Sequence, residues 1–532
     1  MKKLSKLLYT FIIGLLLYYF MLPAINLSAP EFWVFVGMLL FVYWLLHLAS
    51  LIKVKKAVRN QDILGIPGFK LIAGLAGIII GGILIINVVC SPLFNAGKYA
   101  TRIWVDETKD FAEDVEAVDF KTVPLLDKAS SRKLGDRTMG QITDLVSQFY
   151  VSDLYTQINY NNDIVRVTPL EYADLIKYFT NRSQGVEGYI IVNSVNGDSK
   201  LIRLEEGMKY MPSAFFFEDL NRHLRFSYPT KIFGVPTFEV DEAGRPFWII
   251  PTIKYVGIGL REEITGVVVL DPITGDSEIY AVGEVPVWID HVFSANLILN
   301  QVNNWGTYRN GFWNSIFGQK NVVNATEGYN YLALEEDIYL YTGITSVSTD
   351  ESNLGFILTN LRTKETNYYL IAGAEEYSAM ASAEGLVQEK RYVATFPLLI
   401  NLNGKPTYLL SLKDNAGLVK MYAFIDVVDY QKVITNDAAL GIEAAANKYL
   451  NEVPSTGDNA LTKTTTIEIK TIKTAVIDGT THYYLTDKSN QRYTVSIKTG
   501  RNILPYLEVG QKLTVTYYED ELRVITEITK KS

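Results

Sequence analysis

Three long apolar runs in the first 93 residues constrain this chain more than any other feature of its sequence. Leu7–Ile25, Phe32–Ile52 and Phe69–Val89 are each about twenty residues long and almost free of charge. A helix of that length spans the ~30 Å hydrocarbon core of a bilayer, at about 1.5 Å per residue. The sequence therefore predicts a three-helix transmembrane anchor over residues 1–93 of the 532, followed by a region of ordinary polarity.

Positive charges alternate around these runs and indicate which side of the membrane each end faces. Cations precede the first run and follow the second, whereas the loop Asn26–Glu31 has none. They are Lys2, Lys3, Lys6, Lys53, Lys55, Lys56 and Arg59. Because Lys and Arg are enriched on the cytoplasmic side, we expect the N-terminus in the cytoplasm and everything after Pro92 outside. A cleaved signal peptide is the alternative for the first run; two spans would then remain, and the rest would still lie outside.

Charge is divided unequally between the two parts of the chain. The formal net charge is −8, yet residues 1–93 carry eight Lys or Arg and two acids, which leaves the remainder at −14. Such an acidic region repels a phosphate backbone, so nucleic acid is not expected as a partner. Cys90 is the single cysteine, so neither an intramolecular disulfide nor a thiolate zinc site is possible. No metal or other cofactor is predicted.

Small residues recur at four-residue spacing in the third apolar run. Ala73, Gly77 and Gly81 fall on one face of a helix, and such a face lets two helix backbones approach closely. Two interpretations stay open, namely packing within the three-helix bundle and association between copies of the chain. The lipid bilayer is the partner that all three runs predict.

The region after the anchor is predicted to be α+β and to contain several segments. Residues 94–135 are rich in Asp and Glu and are expected to form an acidic stalk. Residues 136–453 mix helical and β-rich patterns, and residues 454–463 form a polar linker. Residues 464–532 hold five strand-like runs and are expected to form a small OB-like β-barrel.

An internal repeat is visible in the β-rich part, with copies at about 188–285 and 355–435. Three landmarks recur in the same order in both copies. They are Gly188 with Gly355, Pro236 with Pro397, and Gly266 with Met421. After the second landmark, Gly-Arg-Pro in one copy and Gly-Lys-Pro in the other supply a hairpin turn between two strands. We therefore expect a tandem-duplicated domain whose two copies are joined by an aromatic-rich connector.

Several stretches of the region after the anchor resemble known types of protein. Val269–Glu278, a strand followed by a Thr-Gly turn, resembles the PepSY type of extracytoplasmic repeat. That resemblance implies a binding or inhibitory module rather than a catalyst. Four further stretches resemble an uncharacterised family of multi-pass membrane-anchored proteins from low-GC Gram-positive bacteria, which implies compartment and architecture but no activity. They are Tyr155–Tyr160, Arg222–Phe226, Asn310–Gln319 and Glu376–Ala383.

No catalytic residue is predicted. Beyond the apolar runs the histidines are His223, His291 and His482, and none belongs to a His-Glu-x-x-His pattern. Asp290 precedes His291, and the pair is expected to be structural.

Three short motifs imitate those of penicillin-binding serine enzymes. They are Ser130-x-x-Lys133, Ser294-x-Asn296 and Lys498-Thr-Gly. That chemistry needs a serine at the start of a buried helix, and the charged neighbours of Ser130 predict an exposed position instead.

A run of aromatic residues with interleaved asparagines marks the join between the two copies. Such side chains stack on sugars or grip a peptide, and the alternative is a packed connector. The candidate ligand-binding residues are Trp288, Trp305, Tyr308, Phe312 and Trp313.

Together these features favour a non-enzymatic envelope protein that presents a platform to a protein or cell-wall partner. The alternative is an envelope enzyme that acts on wall polymers through carboxylates in the groove between the two copies. A deep cleft with opposed acids favours the enzyme, whereas a shallow surface rich in tyrosine favours binding.

Overall fold

The computed structural model describes residues 3–54, 69–120, 122–334, 336–347, 349–452, 462–477, 480–518 and 523–530. Among these residues, three helices are long and apolar enough to cross a bilayer, as the sequence predicts. They are α1 (Lys3–Met21), α2 (Pro30–Val54) and α3 (Phe69–Cys90). Almost all of their apolar surface faces outward, which suits a hydrocarbon environment.

The first helix ends before the predicted Ile25. Leu22 adopts a left-handed backbone with φ 50°, and Pro23 lacks the amide hydrogen that would continue the helical ladder. The chain then turns to the region after the three helices, which we call the outer region because we expect it outside the cytoplasm. There the Ile25 N–H donates to the Pro229 carbonyl at 2.8 Å. The last apolar residues of the first run therefore form a turn rather than part of the span.

The segment predicted to be an acidic stalk is instead folded into the outer region. It contains α4 (Pro92–Ala100), β1 (Val105–Asp106), α5 (Phe111–Asp114) and the first part of α6 (Lys128–Gly140). Phe111, Val115, Val123 and Leu125 are buried in a core that they share with two sheets. Seven acids cluster between Asp106 and Asp119, but these four apolar residues decide the placement because burial removes their surface from water.

Two five-stranded sheets follow α6. The first sheet contains β2 (Phe149–Val151), β3 (Thr156–Tyr160), β4 (Asp163–Tyr172), β5 (Val186–Asn193) and β6 (Ser199–Met208), with α7 (Leu175–Asn181) between β4 and β5. The second sheet follows α8 (Leu220–Ser227) and contains β7 (Ile232–Phe233), β8 (Thr237–Val240), β9 (Pro246–Val256), β10 (Arg261–Leu270) and β11 (Ser277–Ala281).

Two more sheets follow, each preceded by a helix. After α9 (Ala295–Tyr308), the third sheet contains β12 (Val323–Ala325), β13 (Asn330–Leu334), β14 (Asp337–Ser346), β15 (Thr349–Asn360), β16 (Thr366–Tyr369) and β17 (Gly373–Ala374), and β1 joins it beside β16. After α10 (Glu376–Leu386), the fourth contains β18 (Val393–Ala394), β19 (Leu398–Leu402), β20 (Lys405–Lys413), β21 (Val419–Asp426) and β22 (Val433–Asp437). Helix α11 (Ile442–Glu452) packs against it.

The four sheets share one order of strands. The strands of each sheet are counted in chain order, beginning with β2, β7, β12 or β18. The third strand then pairs with the first, second and fourth strands, and the fourth strand pairs with the fifth. The three sequence landmarks fall on equivalent positions of this scheme. Gly188 and Gly355 lie in fourth strands, Pro236 and Pro397 directly precede second strands, and Gly266 and Met421 lie in fourth strands.

The sheets stack so that each neighbouring pair shares a core. In β9, Trp248 and Ile250 join the core with the first sheet, while Ile249 between them joins the core with α9 and the third sheet. In β15, Ile357 faces that second core and Phe356 faces a third core with the fourth sheet. Both faces of the two middle sheets are therefore buried, which the two-residue period of a strand makes possible.

The C-terminal segment forms a closed five-stranded barrel with a hydrophobic core of its own. Its strands are β23 (Thr462–Ile477), β24 (Thr480–Asp487), β25 (Arg492–Ser496), β26 (Lys512–Tyr518) and β27 (Arg523–Lys530). They pair in the order β23-β24-β25-β27-β26, and only the β25–β27 pair of these is parallel. The predicted linker lies outside the described residues up to 461, and its last two residues belong to β23.

Candidate functional site

A groove that encloses about 650 Å³ lies where the first, third and fourth sheets meet. Residues 114–119 and 122–124 form one of its walls, which we call the 114–124 wall, and the first, third and fourth sheets supply the others. The polar side chains from the sheets are Asn159, Asn162, Tyr339, Glu365, Asn367, Tyr369 and Asn401. The groove thus joins residues that are up to almost three hundred positions apart in the chain.

The 114–124 wall of the groove is held by the fourth sheet. The Asn401 side-chain amide donates to the Val115 carbonyl at 2.6 Å, and the Val118 N–H donates to the Asn401 carbonyl at 2.9 Å. Val115 is buried beneath the wall, while Glu116 is exposed and lines the groove. Extended backbone alternates its side chains between two faces, so the same segment supplies both core and groove.

The groove is acidic and rich in amides. Its formal charge is −3, because four carboxylates and one ammonium line it. These residues are Asp114, Glu116, Asp119, Glu365 and Lys109. Lys109 lies 3.6 Å from Asp114, in a partly exposed pair that contributes little energy. Carboxylate and amide oxygens accept hydrogen bonds from ammonium and hydroxyl groups, so the groove suits a cationic or polyhydroxyl ligand.

The β3–β4 turn separates the groove from a smaller cavity of about 250 Å³. Asn161 and Asn162 form the turn with φ 53° and 65°, the left-handed pair that a two-residue hairpin turn favours and that asparagine tolerates. Asn159 and Asn162 line both cavities. The smaller cavity is also lined by Glu242, Trp288, Asp290 and Glu336.

Three titratable side chains are buried together beside the smaller cavity. Glu239 accepts the backbone N–H of Asp290 at 2.9 Å and that of His291 at 3.2 Å. The Asp290 carboxyl group accepts the Asn159 N–H at 2.8 Å, and the His291 imidazole donates to the Gln157 carbonyl at 2.7 Å. Asp290 and His291 thus both contact β8 and β3, which is the kind of structural contact that their sequence predicts.

Burial and hydrogen bonding act differently on the two carboxyl groups of this cluster. Burial raises the pKa of Asp290 well above its usual range, and the nearby Glu239 charge raises it further. Burial also raises the pKa of Glu239, but His291 and the amide donors oppose that effect. Since Glu239 accepts two backbone N–H groups, it is the better place for the negative charge. Oδ1 of Asp290 is buried and has no hydrogen-bond partner among the described residues.

The structure distributes the five predicted ligand-binding aromatic residues among different surroundings. Trp288 lines the smaller cavity, and Trp305 is buried in the second core. Tyr308 stacks on Phe312 at 6.5 Å, Phe312 meets Trp313 edge-on at 5.4 Å, and Trp313 is 62% exposed. Trp288 alone of these lines one of the two polar cavities described above, and the ligand role of all five stays a prediction.

The predicted helix-association face of α3 is open. No atom of another described element lies within 4 Å of a methyl group built on Gly77 or Gly81. Ala73 lines an apolar groove of about 710 Å³ between α2 and α3. These glycines therefore do not mediate packing with the other described helices, and their association with a second chain stays a prediction.

Ser130 is buried at the beginning of α6, so its predicted exposure is wrong. The Asp127 carboxylate caps the helix by accepting the Ser130 N–H at 2.9 Å, which draws this charged stretch against the first sheet. The Lys133 ammonium donates to the Ala416 carbonyl at 2.5 Å. Lys498-Thr-Gly lies in the barrel with its separate core. The three serine-enzyme motifs thus belong to different parts of the fold.

No family model matches the chain. No curated protein matches it either. Among solved structures, a point mutant of the apocarotenoid oxygenase of Synechocystis aligns over 72% of this chain with 8% identity and a TM-score of 0.13. The alignment covers 62% of the length of that protein. A TM-score this low does not indicate a shared fold, so no property of that oxygenase is carried over.

Proposed function

We propose that this chain is a non-enzymatic, membrane-anchored envelope protein that binds a protein or cell-wall partner in the groove. The groove carries the proposal because it is the larger of the two polar cavities described above, and its walls come from three of the four sheets. Its carboxylates and amides fit a ligand that presents ammonium or hydroxyl groups, such as a basic peptide segment or a glycan strand. The negative charge that attracts such a ligand repels nucleic acid.

The proposed orientation places the N-terminus in the cytoplasm and the groove outside. The cluster of Lys2, Lys3 and Lys6 before the first apolar run supports this orientation, because cations are enriched in cytoplasmic segments. An odd number of spans then puts the whole region after α3 on the other side. The open face of Gly77 and Gly81 would allow copies of the chain to associate within the membrane.

The proposed architecture is a tandem duplication followed by an OB-like barrel. All four sheets share one strand order, and the sequence landmarks fall at equivalent positions of the first and third sheets and of the second and fourth. Both observations support a duplication with copies at about 188–285 and 355–435. The closed order of the five barrel strands and their one parallel pair support the OB-like assignment. Binding modules of this kind carry ligands on grafted surfaces, so the architecture is compatible with the proposed role.

A photocrosslinker in the groove tests the proposal. Glu116 lines the groove, whereas Glu113 is equally acidic, exposed and only three residues away but not part of the lining. A benzophenone amino acid placed at Glu116 in the full chain, in intact cells, is expected to capture a discrete partner. The same residue placed at Glu113 serves as the matched control and is expected to capture far less.

The charge of the groove gives a second readout. Changing Glu116 and Glu365 to lysine is expected to reduce capture or binding of a basic probe about tenfold, since each 1.4 kcal/mol is a factor of ten. Glu113→Lys is expected to leave binding nearly unchanged. Equal crosslinking from Glu116 and Glu113 would exclude the groove as the binding site. Undiminished binding after Glu116 and Glu365 are both changed to lysine would exclude it as well.

The smaller cavity favours a second candidate function, an enzyme that acts on wall polymers. Asp290 is a buried acid with a raised pKa, Glu242 and Glu336 are carboxylates in the same cavity, and Trp288 could stack on a sugar ring. Glycan hydrolysis needs a proton donor and a second carboxylate. In this cavity Asp290 would be the donor, Glu242 or Glu336 the second carboxylate, and Trp288 the surface on which the sugar stacks.

Release of reducing ends from purified glycan strands by the reconstituted full chain distinguishes the two functions. If the protein hydrolyses them, Glu242→Gln is expected to lower the rate about 100-fold or more. Glu284→Gln, a change of an exposed acid outside the cavity, is the matched control. No release by the wild-type protein favours binding, and release that both variants retain would place any catalysis elsewhere.

A further inference from the structure

An exposed apolar surface of the outer region lies next to the first membrane helix. It is formed by α7, by the Phe-Phe-Phe sequence that precedes α8, and by α8 itself. We name it the phenylalanine surface and define it by Ile176, Phe179, Phe216, Phe217 and Phe226. Ile176 is 72% exposed and Phe217 is 61% exposed, and the rings of Phe179 and Phe216 lie 6.0 Å apart. Soluble surfaces seldom group so many large apolar side chains.

Polar groups behind the phenylalanine surface hold it in place. The buried Tyr178 ring lies 5.4 Å from Phe215 and 6.5 Å from Phe216. Its hydroxyl donates to the Glu218 carboxylate at 2.8 Å, and Arg182 pairs with the same carboxylate at 2.9 Å. The Tyr178 hydroxyl and the Arg182 guanidinium are therefore both engaged with Glu218, while the apolar side chains of the phenylalanine surface remain exposed.

Aromatic contacts make the phenylalanine surface continuous with α1. The Phe217 ring lies 5.8 Å from that of Tyr19, and the Phe226 ring lies 5.7 Å from that of Tyr18. Both tyrosines belong to the last turns of α1, the end of a candidate membrane span. An apolar side chain that touches the end of a span lies at the depth of the membrane interface, where tyrosine is itself enriched.

Two arginines fix the height of the phenylalanine surface relative to α1. Arg222 Nε donates to the Tyr19 carbonyl at 3.3 Å, and Arg225 Nε donates to the Leu22 carbonyl at 3.0 Å. The Arg222 guanidinium also lies 4.4 Å from the centre of the Tyr19 ring. The last carbonyls of a helix lack partners within the helix and carry the negative end of its dipole. The arginines supply those partners, so α8 and its neighbours are attached to the end of the helix.

We infer that the phenylalanine surface is embedded in the leaflet at the carboxyl end of α1, so that its partner is lipid. This inference rests on the proposed anchoring of α1 in the membrane. Phenylalanine and isoleucine on one face, with arginines at the same level, are typical of segments that lie in the interface. The contact adds a second membrane attachment beside the helices, which fixes the tilt of the sheets and the direction in which the groove opens.

Site-specific fluorescence in vesicles tests this inference with the full chain. In a Cys90→Ser background, single cysteines at Ile176 or Phe179 are labelled with an environment-sensitive nitrobenzoxadiazole group. The protein is reconstituted in phosphatidylethanolamine and phosphatidylglycerol vesicles that contain nitroxide-labelled lipid. Ile78→Cys, within the α3 span, reports on anchoring, and Val428→Cys in the turn between β21 and β22 is an equally exposed apolar control.

Quenching at Ile176 and Phe179 is expected to exceed that at Val428 about twofold or more, with shallow nitroxides more effective than deep ones. Quenching at Ile78 but not at Ile176 and Phe179 would overturn the inference and leave the anchoring intact. No quenching at Ile78 would overturn the anchoring itself. A blue-shifted but unquenched label at Ile176 would show that protein rather than lipid covers the surface, which also overturns the inference.

Discussion

Replacing Trp248 by alanine is expected to lower the free energy of unfolding of the outer region by about 3–5 kcal/mol. Trp248 is fully buried between the first and second sheets, with its ring 5.3 Å from that of Phe238. Its indole N–H donates to the Tyr210 carbonyl at 3.0 Å, so the substitution leaves both a cavity and an unpaired acceptor. Chemical unfolding of the full chain in detergent, followed by circular dichroism, measures the loss.

Trp313→Ala is the matched control for this substitution. It removes the same side chain from a position that is 62% exposed, so the free energy of unfolding is expected to change by about 0.5 kcal/mol or less. Similar losses for Trp248→Ala and Trp313→Ala would contradict the described core between the first two sheets.

Replacing Asp290 by asparagine is expected to stabilise the protein at neutral pH and to flatten the dependence of its stability on pH. The pKa of Asp290 is raised by burial and by the Glu239 charge, so the wild-type protein loses stability as the pH rises from about 3.9 through the raised value. Asparagine carries no proton to lose, and its oxygen can still accept the Asn159 N–H. Each unit of raised pKa corresponds to about 1.4 kcal/mol once the pH exceeds both values.

Asp127→Asn provides a control of opposite sign. Burial acts to raise the pKa of Asp127, but hydrogen bonds from Lys413 and Ser130 outweigh it and the pKa is lowered. Its stabilising effect is present above the usual pKa and is lost as the pH falls through the lowered one. The variant is therefore expected to be weakened at neutral pH and less so in acid. Unfolding free energies measured from about pH 2 to pH 8 test both signs, since the Asp127 effect changes below about pH 4 and the Asp290 effect above it. Parallel curves for the three proteins would contradict the assignment.

Local patterns in the sequence predict the membrane helices and much of the β-rich region, because length and periodicity are properties of neighbouring residues. The same reasoning gives a stalk for residues 94–135, since seven acids cluster between Asp106 and Asp119. Phe111 and Val115 are buried only because β-strands from much later in the chain cover them. Burial of that kind depends on contacts between distant residues, which composition does not contain.

The groove is unpredictable for a related reason. Asn159, Asn367 and Asn401 belong to three different sheets, and no spacing relates them. The acids of residues 114–124 are a visible signal, but their meaning depends on the Asn401 hydrogen bonds that hold the segment against the fourth sheet. The aromatic connector between the two predicted copies, in contrast, is conspicuous in the sequence. Its Trp305, however, is buried in the core between the second and third sheets.

The two middle sheets bury side chains on both faces, and this has a consequence for ligand capture. Neither sheet can swing away from its neighbours without opening two packed layers at once, so the region does not behave as two hinged lobes. The third sheet, which supplies part of the groove, is therefore held in place, so a ligand of the proposed groove would lose little affinity to the ordering of that wall. Selectivity among ligands would then depend on how well each fits a fixed shape, and the backbone around the groove would change little on binding.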